Sequence, residues 1–129
     1  MKIYKEKSDD LGFVIVCLYS QAINLNELKK WVELCIDVLP QDKIPLYMFD
    51  LIDFDESLLR LHSTIGFVPS CRLSKKESAA LEGIAYLRGK DVFDPICEKN
   101  KSLKYLKHSP NILSKFKKMF PFIPLISVP

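Results

Sequence analysis

The segment from residue 24 to residue 40 constrains the fold more than any other part of the sequence. Its apolar residues recur at the i, i+3, i+4, i+7 spacing that places side chains on one face of an α-helix. These residues are Leu28, Trp31, Val32, Cys35 and Leu39. Asn24 with Glu27 three residues later is typical of a helix start, and Pro40 cannot continue a helix. The sequence therefore predicts an amphipathic helix that buries one face.

Two further helices are predicted in the C-terminal half. Ser74 with Glu77 predicts a capping box, in which each side chain satisfies the free backbone N–H of the other residue. Gly89 is expected to end the helix that follows. Pro110 precedes the last predicted helix, residues 111–119. The apolar, proline-containing segment 120–126 is expected to pack back onto the domain.

Between these helices, Pro45 is expected to occupy the first position of another helix, where its missing N–H costs nothing. We expect this helix to bury five apolar side chains: Leu46, Met48, Phe49, Leu51 and Ile52. Asp55-Glu56 predicts the start of the next helix, with Leu58, Leu61, His62 and Ile65 at helical spacing. Gly66 is a typical C-terminal stop for it.

The sequence does not decide the secondary structure of residues 11–23. Phe13-Val14-Ile15-Val16 fits a buried strand or a short buried helix, and periodicity does not separate the two. A short strand or hairpin within residues 1–19 therefore stays an alternative. With four glycines and no linker in 129 residues, the sequence predicts an all-α fold in a single domain, residues 1–129. We expect five to six helices in a compact bundle or short helical array.

The N-terminus and the cysteines favour a cytoplasmic protein. The first ten residues are rich in charge. The apolar run 13–19 follows two acids, unlike a signal peptide, and is far shorter than a membrane span requires. The chain has four cysteines: Cys17, Cys35, Cys71 and Cys97. No zinc-like spacing links them to a histidine, so we interpret them as buried free thiols; two disulfides would need an oxidising compartment.

No catalytic motif is recognisable, and we predict that the protein is not an enzyme and has no catalytic residues. The scattered glycines form neither a phosphate loop nor a dinucleotide fingerprint, so no cofactor is expected. His62 is the better of two candidate bases, although its place on an apolar helix face is typical of a core histidine. A small enzyme centred on His62 or a cysteine stays an alternative.

Four carboxylates fall within seven residues, and we call Asp50, Asp53, Asp55 and Glu56 the acidic run. Acids at a helix start stabilise the helix dipole, so the run also fits a solvated helix start. It lacks the glycine and the spacing of a calcium loop, and we predict no metal site. The remaining interpretation is a patch that binds a protein partner.

The C-terminal segment has the opposite charge. Residues 99–129 contain seven lysines and no acid, whereas residues 1–98 have a net charge of −4. The candidate binding residues there are Lys101, Lys104, Lys107 and Lys115. They fit a solvated helix face, an acidic protein partner or a small nucleic-acid-binding module, with Tyr105 and Phe116 available to stack on bases. The absence of arginine from this segment makes nucleic acid the weaker alternative.

A family resemblance covers about residues 11–89. The segments that carry it are Asn24-Leu25-Asn26-Glu27-Leu28-Lys29-Lys30-Trp31, Asp42-Lys43-Ile44-Pro45-Leu46-Tyr47-Met48-Phe49-Asp50-Leu51 and Leu73-Ser74-Lys75-Lys76-Glu77. In the order of helices and boundaries, the chain resembles immunity proteins of bacterial contact-dependent growth inhibition (polymorphic toxin) systems.

This resemblance implies a cytosolic protein that binds the C-terminal toxin domain of its own locus and neutralises it. Such toxins are often nucleases with basic clefts, which the acidic run would occupy in place of phosphates. The lysine-rich segment is the second choice for the same role, on an acidic toxin surface. The sequence leaves the oligomeric state open.

Overall fold

The structure, a computed structural model, describes residues 1–125 of the chain. Within them lie seven α-helices and two 3-10 helices, and no strand or sheet. The α-helices are α1 (Asp9–Tyr19), α2 (Leu25–Val38), α3 (Tyr47–Ile52), α4 (Leu61–Ile65), α5 (Lys75–Leu87), α6 (Lys99–Lys107) and α7 (Pro110–Met119). The 3-10 helices are Gln41–Lys43 and Leu58–Arg60. The all-α prediction is confirmed, and the expected count of five to six helices is too low.

The contacts of the chain divide it into two compact units. The first unit comprises residues 1–15 and 25–71, and the second comprises residues 16–24 and the chain from Arg72 onward. The single domain and the bundle or helical array stay predictions. No helix in residues 1–125 combines the length and the apolar character that crossing a membrane requires.

The expected alternative of an N-terminal strand is wrong for the described chain. Tyr4 and Lys7 exchange two backbone hydrogen bonds of 2.9 and 3.0 Å, and this isolated bridge extends no further. α1 then begins at Asp9 and contains the whole β-branched run. Seven of its residues between 11 and 18 are buried, so α1 is apolar nearly all round. Burial of this surface outweighs the modest strand propensity of valine and isoleucine.

Gly12 allows another segment of the first unit to approach α1 closely. A Cβ atom on Gly12 would lie 1.8 Å from the carbonyl oxygen of Ser70, a distance that no side chain tolerates. Ser70 also donates its backbone N–H to the hydroxyl of Ser8 at 2.8 Å. The segment before Cys71 is therefore fixed directly against the start of α1.

The amphipathic helix predicted after Asn24 is confirmed as α2. It begins at Leu25, ends at Val38 and buries Leu28, Trp31, Val32 and Cys35. Leu39 lies just beyond the helix end and is half-buried. Within the first unit α2 packs against α3, and α3 packs against α4.

The boundaries of α3 and α4 differ from those predicted. Pro45 precedes the cap residue Leu46 and is not inside α3, although its carbonyl accepts the N–H of Met48 at 3.1 Å. Asp55 and Glu56 likewise precede the second 3-10 helix, Leu58–Arg60, which Ser57 caps. α4 follows that turn and buries Leu61 and Ile65. It ends as predicted at Gly66, whose φ of +92° favours glycine.

The second unit is centred on α5 and α6. The capping box is confirmed: Glu77 donates its N–H to the Ser74 hydroxyl at 3.1 Å, and Ser74 donates its N–H to the Glu77 carboxylate at 3.0 Å. α6 approaches α5 closely because Gly83 has no side chain. A Cβ atom there would lie 2.8 Å from the carbonyl oxygen of Ser102.

α6 is the helix that the sequence-based prediction missed. Its lysines hide the apolar pattern, and only Ser102 and Leu106 are buried, four residues apart. The predicted last helix is confirmed as α7, with Pro110 in its first turn. The segment after it packs back as expected, since Phe120 and Ile123 are buried and the Phe116 and Phe120 rings lie 4.9 Å apart. Residue 126 of that segment lies outside the described chain.

Candidate functional site

One side of α3 is fixed in the core of the first unit. Met48 and Leu51 are fully buried, and the Tyr47 hydroxyl donates to the carbonyl oxygen of Ile3 at 2.6 Å. The Tyr47 ring also meets the Phe67 ring edge-on, with 5.9 Å between centroids. Burial raises the pKa of Tyr47 above its ordinary value, so the phenol keeps the proton that it donates. α3 therefore presents its opposite side on a rigid support.

That opposite side combines apolar and acidic residues. Leu46, Phe49, Asp50 and Asp53 follow the i, i+3, i+4, i+7 spacing and share one helix face, which we call the α3 outer face. All four are exposed, Leu46 to 83% and Phe49 to 48%. The expectation that Leu46 and Phe49 are buried is wrong, and Ile52 is only half-buried. Short α3 has one buried face, and Tyr47, Met48 and Leu51 fill it.

The acidic run forms one site in the structure. All four of its carboxylates line an open concavity of about 390 Å³ beside the α3 outer face, which we call the acidic concavity. Its remaining lining residues are Phe54, Ser63 and Thr64. Phe54 is buried and donates its N–H to the carbonyl oxygen of Leu51 at 3.2 Å, which turns the chain after α3. Sequence reasoning missed the α4 hydroxyls of Ser63 and Thr64, because nothing local indicates that α4 returns to this site.

The chemistry available in the acidic concavity is charge recognition. Like charges so close together repel one another, and a cationic partner relieves that repulsion. Among residues 1–125, no group of three or more His, Cys, Asp or Glu side chains is placed to hold a metal ion. The adjoining Leu46 and Phe49 supply apolar contact area, which a small ion would not use.

Neither His62 nor any of the four cysteines is among the residues that line the acidic concavity. His62 is half-buried in α4 and does not line the acidic concavity. All four cysteines are free thiols, as predicted, but only Cys17 and Cys35 are buried. Burial, with a smaller contribution from the charge of Asp10, raises the pKa of Cys35 to about 12. This thiol therefore stays protonated at neutral pH and is a poor nucleophile.

The second-choice lysines belong to the second unit. Lys101, Lys104 and Lys107 are exposed on one side of α6, and Lys115 is half-buried on α7. Of these four, Lys101 lines a concavity with a volume of about 320 Å³, which we call the lysine concavity. Its other lining residues are Lys75, Lys76, Ala79, Ile96, Cys97 and Tyr105. The sequence did not indicate that Lys75 and Lys76 belong with Lys101, because only the packing of α5 on α6 joins them.

Comparison with known proteins gives no relative from which a function could be transferred. No protein-family model matches the chain, and neither a curated protein nor a solved structure is significantly similar to it. The resemblance to immunity proteins therefore stays a prediction, and function is inferred from the geometry of the two concavities and the α3 outer face.

Proposed function

We propose that this protein is an immunity protein that binds the C-terminal toxin domain encoded in its own locus and neutralises it by direct contact. The proposed contact surface is the α3 outer face together with the acidic concavity. One observation carries the proposal: Phe49 and Leu46 are exposed on the same helix face as Asp50 and Asp53. The site of action would be the cytoplasm, where an incoming toxin domain is met.

The apolar residues favour a protein partner over a small ligand or solvent alone. Exposed large side chains beside polar residues are typical of binding surfaces, in which a few buried anchors provide most of the affinity. Phe49 is aromatic and half-exposed, so a partner can bury much of its ring. Because α3 is fixed through Tyr47, little conformational entropy is lost when the ring is covered.

The charges favour a basic partner, and a nuclease toxin fits this requirement. The first unit has eleven acidic and seven basic residues, a net charge of −4. A nuclease cleft is positive because it binds phosphates, so the carboxylates of the acidic run would occupy the positions of substrate phosphates. Complementary charge also accelerates association and disfavours wrong partners.

Co-expression with the toxin domain of the same locus tests the proposal. The proposal requires a large secreted protein encoded next to this chain, and the C-terminal domain of such a protein is the probe, produced with and without this chain. We expect growth to be restored by the chain and the two purified proteins to form a complex on size-exclusion chromatography. If growth is not restored and the two proteins form no complex, that result would falsify the proposal.

A further inference from the structure

The lysine concavity brings together three cations on a rigid frame. Lys75 and Lys76 lie in the first turn of α5, whose start is fixed by the Ser74–Glu77 capping box. Lys101 lies on α6, which is held against α5 by the close approach at Gly83. The Lys76 ammonium lies 5.9 Å from the centroid of the Tyr105 ring, a favourable cation–π distance. Three lysines therefore line one small space.

No carboxylate among the described residues lines this space to neutralise the lysines. Two acids adjoin lining residues in sequence, Glu77 and Glu98. The Glu77 carboxylate accepts the N–H of Ser74 at 3.0 Å and the amide of Asn111 at 3.5 Å, and the exposed Glu98 precedes α6 without lining the concavity. The second unit as a whole has twelve basic and five acidic residues, a net charge of +7. The lysine concavity is thus a positive site that an anion would stabilise.

The other walls of the concavity describe the rest of the ligand. Ala79, Ile96 and the Tyr105 ring supply apolar surface directly beside the lysines. A volume of about 320 Å³ is at the small end of ligand sites and matches a compact small molecule. A ligand that fits has an anionic group at one end and a flat or apolar group at the other.

We propose that the lysine concavity binds a nucleoside phosphate. Its phosphates lie among Lys75, Lys76 and Lys101, and its base lies against Ile96 and Tyr105. A free nucleotide and one nucleotide of a single strand carry this same chemistry. The site lies in the second unit and is independent of the toxin-binding function proposed for the first, so each proposal can fail without the other.

Cys97 provides a probe inside the site, because its thiol lines the concavity 3.3 Å from the Ser102 hydroxyl. The chain is treated with iodoacetamide alone, with ATP, or with a single-stranded DNA of about ten nucleotides, and alkylation is followed by mass spectrometry. We expect a bound probe to slow alkylation of Cys97 at least about threefold. Cys71, a half-buried thiol of the first unit, should react at an unchanged rate.

A pair of double variants separates this site from general attraction to positive charge. Lys75→Gln with Lys101→Gln removes two lining cations, and we expect affinity for a fluorescent ATP analogue to fall at least about tenfold. Lys117→Gln with Lys118→Gln removes the same charge from exposed positions on α7 and should change affinity less than about threefold.

The two probes also identify the source of the ligand. Protection of Cys97 by ATP supports a free nucleotide, and protection by the DNA alone supports a strand. Protection by neither probe overturns the proposal, as does an equal loss of affinity in the two double variants.

Discussion

The two units of this protein have opposite charge and differently built recognition surfaces. The first has a net charge of −4 and places four of its eleven acidic residues around an open concavity beside exposed Leu46 and Phe49. The second has a net charge of +7 and places three lysines around a smaller concavity with apolar walls. An open acidic surface with apolar anchors suits a protein, whereas a small basic space suits a compact anion.

The difference teaches that net charge alone does not describe what a surface binds. In both units the charged groups belong to surface side chains, and a single exposed ion pair contributes little free energy. What distinguishes the sites is the apolar surface next to the charges. In the first unit it projects outward from α3, and in the second it forms the walls of a concavity.

The close approaches at Gly12 and Gly83 allow the packing of the two units to be compared. Gly12→Ala should lower the free energy of unfolding by about 3 kcal/mol or more, because its Cβ would meet the backbone of Ser70 at 1.8 Å. Gly83→Ala should cost about 1 kcal/mol, because the contact at 2.8 Å is milder and alanine favours the helix. Urea unfolding measures both, and fluorescence of Trp31, buried in the first unit, follows that unit.

Gly66→Ala serves as the control for these glycine variants. No atom lies within 4 Å of the added Cβ, so only the φ of +92° is penalised, by about 1 kcal/mol. Equal losses of unfolding free energy for Gly12→Ala and Gly83→Ala would show that the segment containing Ser70 shifts away from an added Cβ atom as readily as α6 does.

Phe49 lies on the proposed binding face and Phe93 lies outside it. Substituting each phenylalanine in turn therefore tests whether that face binds the toxin domain. Phe49→Ala should weaken toxin-domain binding by about 2 kcal/mol, close to thirtyfold, because a central aromatic anchor is lost. Phe93→Ala, at a residue of the second unit that is 85% exposed, should leave the affinity unchanged. Isothermal titration calorimetry measures both, and a greater loss for Phe93→Ala would move the interface to the second unit.

Charge reversal in the acidic run sharpens the electrostatic side of the comparison. Asp53→Lys with Asp55→Lys should slow association with the toxin domain about tenfold at low salt and make it less sensitive to salt. Glu33→Lys with Asp37→Lys makes the same charge change at exposed positions of α2 and should have a smaller effect. Stopped-flow kinetics measures both variants, and equal slowing would indicate that net charge alone steers the encounter.

Substitution of Glu82 and of Glu77, both in α5, should change the pH dependence of the free energy of unfolding in opposite directions. These are the smallest effects expected among the variants. Burial raises the pKa of Glu82, although the carboxylate accepts the Ile96 N–H at 2.9 Å. Its contribution to stability is complete below its unfolded-state pKa and is lost as pH rises through the raised folded-state pKa. Glu82→Gln, which keeps an acceptor for Ile96, should therefore stabilise the protein at neutral pH.

Glu77 behaves in the opposite way. The hydrogen bond from the Ser74 N–H lowers its pKa, so its contribution is present above the unfolded-state pKa and is lost as pH falls through the lowered one. Glu77→Gln should therefore destabilise at neutral pH and have little effect in acid. Urea unfolding between pH 3 and pH 8 measures the free energy of unfolding of both variants relative to the unsubstituted protein. If this difference changes with pH in the same direction for both, the opposite pKa shifts of Glu82 and Glu77 are contradicted.

Signals that depend on neighbouring residues predicted the structure well. The Ser74–Glu77 capping box, the glycine stop at Gly66 and the buried stripe of α2 follow from backbone geometry within a few residues. Of the candidate site, the sequence predicted the acidic run because its four carboxylates are close together along the chain. It did not predict Ser63 and Thr64, which α4 brings to the same concavity.

Predictions failed where apolar residues compete for a limited core. Leu46 and Phe49 are as apolar as Met48 and Leu51, but a single turn and a half of helix can bury only one side. For Phe13-Val14-Ile15-Val16 the apolar pattern did not distinguish a helix from a strand, because a helix buries the run as effectively as a strand does. In α6 the lysines masked a helix that Ser102 and Leu106 anchor.

The sequence by itself determined that the chain is helical, where α2, α5 and α7 begin and end, and how charge is distributed along it. Those properties are local, since caps, breakers and periodic apolar residues act within one or two turns. Only the tertiary structure decided which apolar residues stay exposed beside Asp50 and Asp53, and that Lys75, Lys76 and Lys101 share one space. Burial and long-range packing select among locally equivalent side chains, and they are set by segments distant in the sequence.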